Sequence, residues 1–269
     1  MPKFAANLSM MFGEEAFLDR FAAAAAMGFG AVEYLFPYAY DKAELKARLE
    51  AHGLRQVLFN AAQGDWDNGE RGIAGLPGRE SDFRRAIERA LDYAAALGCP
   101  RLHVMAGLVP PGADGRRHRD VYVANLGWAV GLAHRAGVTL LIEPLNPCDF
   151  PGYLIGTPDA ARRVIDEIGS PHLKLQYDLY HAQMTHGRLL DVFAAQQPVV
   201  GHVQIAGVPG RHEPDAGQEI NYPAVFAALD ASGYEGWIGC EYRPRGATGD
   251  GLVWAAPYGI GPASGSRTM

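Results

Sequence analysis

The chain has 269 residues, of which 48% are hydrophobic and 20% charged, and its formal net charge is -6. A chain of this length can bury a large core, and barrels of alternating strands and helices reach about 250 residues as one domain. The acidic balance gives no long-range attraction for nucleic acid or anionic membranes, so we expect neither as a partner.

The cysteine count bears on the cellular compartment. Cys99, Cys148 and Cys240 form no CxxC pair and are odd in number. They predict neither a disulfide framework nor a cysteine metal site, and they fit a reducing cytosol. No signal-peptide core is seen, and no stretch nears the roughly 18 uninterrupted apolar residues of a membrane span. We expect a cytoplasmic protein.

Short segments rich in β-branched, aromatic and aliphatic residues recur at intervals that fit strand, loop, helix and loop. We predict strands at residues 4–10, 31–37, 55–60, 101–107, 139–146, 173–178, 201–207 and 237–242. Apolar residues at helical spacing lie between them, as in Phe83, Ile87, Ala90, Leu91 and Ala94. Several of these stretches stop at a glycine, as helix C-caps do: Gly28, Gly53, Gly98, Gly137, Gly169 and Gly233.

This repeated order of elements indicates the fold class. Each glycine stop precedes a strand, so the strands should be parallel and joined by right-handed crossovers. Eight such strands predict a single α/β domain over residues 1–269, a (β/α)8 TIM barrel. The alternative, an open doubly wound sheet, would favour a GxGxxG turn after an early strand, and the sequence has none there.

Two irregular segments stand out. Residues 61–80 follow the third predicted strand, and long connections of this kind in compact domains tend to be functional. We predict that they form a lid over the barrel mouth with Trp66 as a substrate contact; a variable surface loop is the alternative. The Gly/Ser-rich end after about residue 261 is predicted to be loosely ordered.

Polar side chains stand at or near the carboxyl ends of the last four predicted strands. They are Glu143 in LLIEPLN, Asp178 in LQYDLYH, Gln204 in HVQIAG and Glu241 in GCEYRP. In a parallel barrel these ends form the open face that carries the active site. Because each residue follows an apolar run, its side chain should enter a largely dry pocket.

Converging buried carboxylates need compensation, because they repel one another and are costly to bury. A divalent metal would remove that conflict. All four groups offer oxygen ligands, which favours Mg²⁺ or Mn²⁺, with Zn²⁺ or Co²⁺ as alternatives. We therefore predict one divalent metal held by Glu143, Asp178, Gln204 and Glu241; for any one of them, a salt-bridged structural role is the alternative.

Other residues near these strand ends are candidates for substrate binding. His181 follows Asp178 by three positions, where its imidazole could donate to a substrate oxygen. Arg211 in VPGRHEP could bind a substrate carboxylate in bidentate fashion. Asn7 in the first strand could hydrogen-bond a ligand, and a structural role is equally open. His103 and His202 are interpreted as core or supporting groups.

Several motifs resemble those of the hydroxypyruvate isomerase family within the xylose-isomerase-like barrels. They are GDWDNGERGIAGLPGRE, LHVMAG, LLIEPLN, YDLYHAQ, GHVQIAG, GRHEP, EINY, CEYRP and PYGI. The resemblance runs from about residue 4 to residue 261. It implies a barrel with one divalent metal at the four positions above, and it implies that Glu143 and Glu241 also act as acid and base.

The resemblance implies a metal-dependent isomerase of a small anionic sugar acid, converting hydroxypyruvate to 2-hydroxy-3-oxopropanoate by proton transfer through an enediolate. The alternatives on the same scaffold are a 2-oxo-tetronate isomerase or a ketose epimerase. A metal-dependent DNA-repair endonuclease is more distant, because such sites gather several metals and many histidines on a basic face. A non-catalytic sugar-binding barrel and a homo-oligomer also stay open.

Overall fold

The computed structural model describes residues 1–262. Eight parallel strands close into a barrel in which each strand pairs with the next along the chain and the last pairs with the first. The strands are β1 (Lys3–Asn7), β2 (Ala31–Tyr34), β3 (Arg55–Ala61), β4 (Arg101–Val104), β5 (Thr139–Ile142), β6 (Leu173–Asp178), β7 (Val200–Ile205) and β8 (Trp237–Cys240). The predicted TIM barrel is confirmed.

Helices form the outer layer. They are α1 (Arg20–Ala26), α2 (Lys42–Ala51), α3 (Glu80–Leu97), α4 (Gly115–Ala136), α5 (Pro158–Ile168), α6 (Leu179–Thr185), α7 (Leu189–Gln196), α8 (Tyr222–Ala231) and α9 (Thr248–Gly251), with 3-10 turns at Phe17–Asp19, Gln197–Val199 and Leu252–Tyr258. Between residues 1 and 262, no helix has the length and apolar character needed to cross a membrane.

The helix ends follow from local sequence. Asp114 and Thr157 accept hydrogen bonds from backbone N–H groups at the starts of α4 and α5, which otherwise lack partners. At the other ends, Gly98, Gly137 and Gly169 adopt left-handed conformations with φ of 63°, 67° and 64°. Glycine reaches this region without a Cβ clash, so the predicted C-cap stops after α3, α4 and α5 are confirmed.

The core has two parts. The larger one lies between strands and helices. On α3 it takes Phe83, Ile87, Ala90 and Ala94 of the predicted face, and Leu91 packs half-buried against them. A smaller cluster consists only of strand residues, with Trp237 packed against it: Ala5, Ala31, Val57, Leu58 and Leu141. Because no helix contributes to it, we place this cluster inside the barrel. It closes the interior below the polar residues of the open end.

Six of the predicted strands end two to four residues earlier than expected: β1, β2, β4, β5, β7 and β8. The fifth was predicted to run to residue 146 and the eighth to residue 242, but β5 ends at Ile142 and β8 at Cys240. Pro144 has no backbone N–H, so it cannot continue the ladder beyond Glu143. Glu143 and Glu241 are consequently the first residues after their strands, at the rim of the barrel.

The connection between β3 and α3, residues 62–79, is tied down at one end. Gly72 forms an antiparallel bridge with Ala106, and Gly75 N–H donates to the Ala106 carbonyl at 2.7 Å. Residues 72–75 are buried, whereas all of residues 64–69 are exposed or half-buried. The lid assignment for this segment stays a prediction. The predicted loose tail lies, apart from its first residue, outside the described residues.

Candidate active site

A cavity of about 310 Å³ lies at the carboxyl-terminal end of the barrel. Glu143, His181, Arg211 and Glu241 line it, and Trp66 borders it from the 62–79 connection. These residues come from separate strand ends and loops, the arrangement in which barrel enzymes build active sites. The volume is near the lower limit of the usual range for ligand cavities, about 300–1,000 Å³, and so suits a small substrate.

Three carboxylates lie at this end of the barrel: Glu143 and Glu241 line the cavity, and Asp178 lies behind it, within 4 Å of His181 and Arg211. Glu143, Asp178 and Glu241 are 5%, 3% and 6% exposed. Asp178 Oδ1 caps α6 by accepting from the N–H groups of Tyr180 and His181, at 2.7 and 3.3 Å. Asp178 Oδ2 and Glu143 Oε1 have no hydrogen-bond partner among the described residues. Buried carboxylate oxygens without donors are costly, which indicates that a further group belongs there.

Arg211 is the cation nearest to these carboxylates. Its Nη2 lies 2.7 Å from Glu241 Oε1 and 3.6 Å from Asp178 Oδ2, and its side chain is buried. The backbone at Arg211 has a φ of 54°, which residues other than glycine seldom adopt. The Arg211 carbonyl accepts from Arg243 N–H at 2.8 Å, which holds this strained turn. The loop is thus built to direct a guanidinium inward.

Burial and mutual repulsion shift the titration of the carboxylates. Burial raises the pKa of Glu143 well above its usual range, and the charges of Glu241 and Asp178 raise it further. Burial raises the pKa of Glu241 to about 8, although Arg211 opposes this rise. The pKa of Asp178 is also raised by burial, with Arg211 opposing. A bound cation would favour the ionised forms of all three groups.

The tautomer of His181 follows from its contacts. Burial lowers the pKa of His181 well below its usual value, so the imidazole is neutral. Its Nδ1 accepts from the backbone N–H of Asn146 at 3.2 Å, which leaves the hydrogen on Nε2. Nε2 lies 4.0 Å from Glu143 Oε1 and 3.9 Å from Asp178 Oδ2. This geometry suits donation to a substrate oxygen.

Gln204 and Asn7 meet Glu241 from the neighbouring strands. Gln204 Nε2 donates to Glu241 Oε2 and, at 2.8 Å, to Glu33 Oε1. Asn7 Nδ2 also donates to Glu33 Oε1 and to Glu241 Oε2, at 3.2 Å each. The Gln204 carbonyl oxygen accepts from Gln176 Nε2 at 2.6 Å. The structure therefore brings Gln204 to the site, with its oxygen bonded to Gln176.

The donor set fits a divalent metal. Ligand atoms of Glu143, Asp178 and His181 lie within 4.8 Å of one another. Because His181 carries its hydrogen on Nε2, the carboxylate oxygens are the better ligands. Glu241, which lines the cavity with Glu143, is a third carboxylate beside this group. Oxygen donors of this kind suit a hard ion such as Mg²⁺ or Mn²⁺. Gln204 as the fourth ligand stays a prediction.

The sequence reasoning missed two charged residues. Arg243 lines the cavity, is exposed, and has no ion pair or side-chain hydrogen bond among the described residues. The sequence feature that could have indicated Arg243 is its position two residues after Glu241, at the same strand end. Glu33 is buried at 1% exposure inside β2. A charged residue within an apolar strand was the signal there, because such a group needs partners.

The fold and the site agree with a family match. The family model described as xylose isomerase-like TIM barrel matches residues 21–258. The chain belongs to this family.

Two curated relatives indicate the class of reaction within this family. The chain is 57% identical to a 2-oxo-tetronate isomerase of Cupriavidus necator over 258 residues, covering 96% of this chain and 99% of that one. It is 44% identical to the hydroxypyruvate isomerase of Escherichia coli, covering 96% of this chain and 100% of that one. The predicted resemblance is confirmed.

Among solved structures, a Brucella melitensis protein described as AP endonuclease, family 2, superposes with a TM-score of 0.94 at 47% identity, covering 96% of this chain and 99% of that one. The Escherichia coli 3-keto-D-glucoside 4-epimerase superposes with a TM-score of 0.79 at 25% identity, covering 96% and 99%.

Proposed function

We propose that this protein is an isomerase of short 2-oxo sugar acids, which converts hydroxypyruvate to 2-hydroxy-3-oxopropanoate. The observation that carries the proposal is the pair of buried glutamates, Glu143 and Glu241, in one small cavity that also holds cationic side chains. Two glutamates that face one small cavity can remove a proton from one carbon atom and return a proton to its neighbour. The relatives named above support the same reaction class.

The reaction moves hydrogen between adjacent carbons without net oxidation. One glutamate removes a proton from C3 of hydroxypyruvate, and the other glutamate delivers a proton to C2. The C3 hydroxyl loses its proton while the C2 oxygen gains one, so the atoms balance through an enediolate of the substrate. His181 Nε2–H is placed to donate to one of these oxygens.

Glu143, Asp178, Gln204 and Glu241 would hold the divalent metal. When bound, the metal would draw electron density from the two substrate oxygens and acidify the C–H bond between them. The protein's own residues do the remaining work. Glu143 and Glu241 move the protons, and Arg211 holds Glu241 in place through the 2.7 Å ion pair.

Two guanidinium groups can bind the substrate carboxylate. Arg211, the cation predicted for this role from sequence, already pairs with Glu241 through Nη2. Its buried Nε has no hydrogen-bond partner among the described residues. Arg243 lines the same cavity and has no such pairing. A guanidinium with all its N–H groups free can bind a carboxylate through two parallel hydrogen bonds. We therefore assign the main carboxylate contact to Arg243.

A four-carbon substrate is the second candidate. Three 2-oxo-tetronate isomerases are 57%, 49% and 46% identical to this chain, above the 44% of the Escherichia coli hydroxypyruvate isomerase. The two acids undergo the same exchange between C2 and C3, and they differ only in the group attached to C3. Epimerisation of a neutral ketose is the further alternative, and it would not need a cation for a carboxylate.

Hydrolysis of DNA is disfavoured by charge and by the number of metal sites. The net charge is -6, and the described residues contain one cluster of three or more side chains suited to a metal. Phosphate backbones are bound by basic surfaces, and that affinity falls steeply with salt. The three cysteines are free, which supports a cytoplasmic location, and a homo-oligomer stays a prediction.

One experiment tests the proposed reaction and its metal together. Chelated protein and protein supplied with Mg²⁺ or Mn²⁺ are incubated with hydroxypyruvate, 2-oxo-tetronate and a neutral ketose in deuterated water, with product identity and deuterium content measured. We expect metal-dependent turnover of the acids, and deuterium at the new C–H bond. Turnover of the ketose alone would contradict a sugar-acid substrate. Full activity after chelation would contradict the requirement for a metal. Complete retention of the migrating hydrogen would contradict proton transfer through an enediolate.

A further inference from the structure

Glu33 is a buried carboxylate below the cavity. It lies in β2 and does not line the cavity, so it has no direct path to a substrate. Its Oε1 accepts from Asn7 Nδ2 at 3.2 Å and from Gln204 Nε2 at 2.8 Å. Its Oε2 lies 2.7 Å from His202 Nε2. These contacts surround Glu33 with three polar side chains from two other strands, β1 and β7, as a buried carboxylate requires.

The same two amides connect Glu33 to Glu241. Asn7 Nδ2 and Gln204 Nε2 each lie between Glu33 Oε1 and Glu241 Oε2. A carboxylate only accepts hydrogen bonds, so each amide must present its nitrogen to Glu33. Glu33 thereby fixes the orientation of the Asn7 and Gln204 amide groups, because a rotated amide would point its oxygen at the carboxylate.

The Glu33 carboxylate lies against a glycine, Gly239, in the neighbourhood of the barrel interior where any other residue would carry a side chain. A Cβ added to Gly239 in β8 would overlap both carboxylate oxygens of Glu33. Glycine in the interior of a strand is unfavourable unless another group approaches its backbone closely. The absence of a side chain at Gly239 therefore leaves the space that the Glu33 carboxylate occupies.

Resting on the function proposed above, we propose that Glu33 is a positioning residue for the metal site. By holding the nitrogen of Gln204, Glu33 leaves the carbonyl oxygen as the atom that can turn to the cation. That oxygen accepts from Gln176 in the structure, a neutral hydrogen bond that a cation can replace. By holding Asn7 and Gln204 together, Glu33 also fixes Oε2 of Glu241. Supporting hydrogen bonds of this kind commonly affect metal affinity about 10–100-fold.

The direct test is Glu33→Gln, which keeps the size of the side chain but can donate as well as accept. The amide of Gln204 can then present either end to position 33, so its oxygen is no longer directed to the cation. We expect the Kd for Mn²⁺, measured by titration calorimetry or electron paramagnetic resonance, to rise about 10–100-fold. Circular dichroism and the Tm of the metal-free protein establish whether the variant is folded.

Gly239→Ala is a second test that changes no polar group. The new methyl group displaces the Glu33 carboxylate from its position, so we expect weaker Mn²⁺ binding in the same direction as for Glu33→Gln. Gly201→Ala is the matched control. A Cβ at Gly201 in β7, the residue before His202, would crowd the side chains of Lys174 and Leu141 at 2.7 and 2.8 Å. The strain is comparable, but neither side chain hydrogen-bonds Glu33, Gln204 or Glu241.

The outcomes separate this proposal from the proposed function. Weaker binding in Glu33→Gln and Gly239→Ala, with wild-type binding in Gly201→Ala, supports the positioning role. Wild-type affinity in both test variants overturns that role alone, and so does an equal loss in Gly201→Ala, because general strain would then explain the effect. A wild-type protein that binds no Mn²⁺ overturns the metal site and the positioning role together.

Discussion

Glu143 and Glu241 have different surroundings, although both are buried at the same cavity. Glu143 Oε1 has no hydrogen-bond partner among the described residues. Both oxygens of Glu241 accept hydrogen bonds, from Arg211 at Oε1 and from Asn7 and Gln204 at Oε2. A change at Glu241 therefore disturbs the side chains that hold it. A change at Glu143 removes an ionisable group and a proposed metal ligand, whose Oε2 lies 3.3 Å from His103 Nδ1.

We predict that Glu143→Gln and Glu241→Gln each lower kcat by about 10²–10⁴-fold, because a glutamine side chain cannot exchange the proton. Glu241→Gln should also raise KM, since it weakens the anchor of Arg211. Steady-state assays with hydroxypyruvate and with 2-oxo-tetronate measure both constants. Glu213→Gln is the control: it removes another buried carboxylate that does not line this cavity, and it should keep kcat. Wild-type turnover in either test variant would contradict the acid–base assignment.

Arg243 is predicted to decide the preference for acids. Arg243→Ala should raise KM for the acid substrate about 10–100-fold with a small change in kcat, because charged hydrogen bonds contribute about 1.5–3 kcal/mol. Arg245→Ala is the matched control, since Arg245 pairs with Asp215 and does not line this cavity. An unchanged KM in Arg243→Ala would show that another group, with Arg211 the first choice, binds the carboxylate.

At the scale of elements, the 62–79 connection combines a fixed base with an accessible tip. Gly72 has a φ of 114°, and a Cβ there would overlap the backbone of Met105, so the base packs closely on the chain beyond β4. At the tip, the Trp66 ring contacts Phe36 edge-on at 5.0 Å, and the Arg71 guanidinium stacks over it at 4.2 Å. Motion of a lid would accordingly be confined to the segment around Trp66.

A fluorescence experiment tests this lid. Binding of an unreactive acid such as glycerate should change tryptophan emission in the wild-type protein, because Trp66 borders the cavity. The change should be absent in Trp66→Phe and retained in Trp237→Phe, whose ring packs at the opposite end of the barrel beside Lys3. A full emission change in Trp66→Phe would contradict a role for this segment in ligand binding.

For the whole molecule, the buried carboxylates of the site lower the free energy of unfolding of the metal-free protein as the pH rises. The folded-state pKa of Glu241, about 8, lies above the value of about 4.3 for an unperturbed glutamate. Stability from a group with a raised pKa is present at low pH and is lost as the pH rises towards the folded value. The same rise in pH favours metal binding, since the ligands must be deprotonated.

We predict that the Tm of the chelated protein falls between about pH 5 and pH 8 relative to that of Glu241→Gln, in which this titration is absent. Saturating Mn²⁺ should raise the wild-type Tm, and the increase should grow with pH across the same range. Thermal unfolding followed by circular dichroism, with and without chelator, measures both effects. A metal-induced increase that shrinks with rising pH would contradict the assignment of carboxylate ligands.

The barrel, the order of its strands and the residues at its open end could all be predicted from the amino-acid sequence. These follow from local signals: apolar runs of strand length, helical spacing, glycine stops, and polar residues directly after apolar runs. Glu143, Asp178 and Glu241 could therefore be predicted to converge, because a closed parallel barrel collects its strand ends on one face.

Which atoms face one another could not be predicted in this way and depends on the folded barrel. The pairing of Arg211 with Glu241, the hydrogen on Nε2 of His181 and the contact of Glu33 with Gly239 join residues distant in the sequence. Side-chain hydrogen bonds depend on positions that the closed barrel fixes to fractions of an ångström. Residue type and spacing carry no such information, because they specify the strand and its face but not the neighbour across the interior.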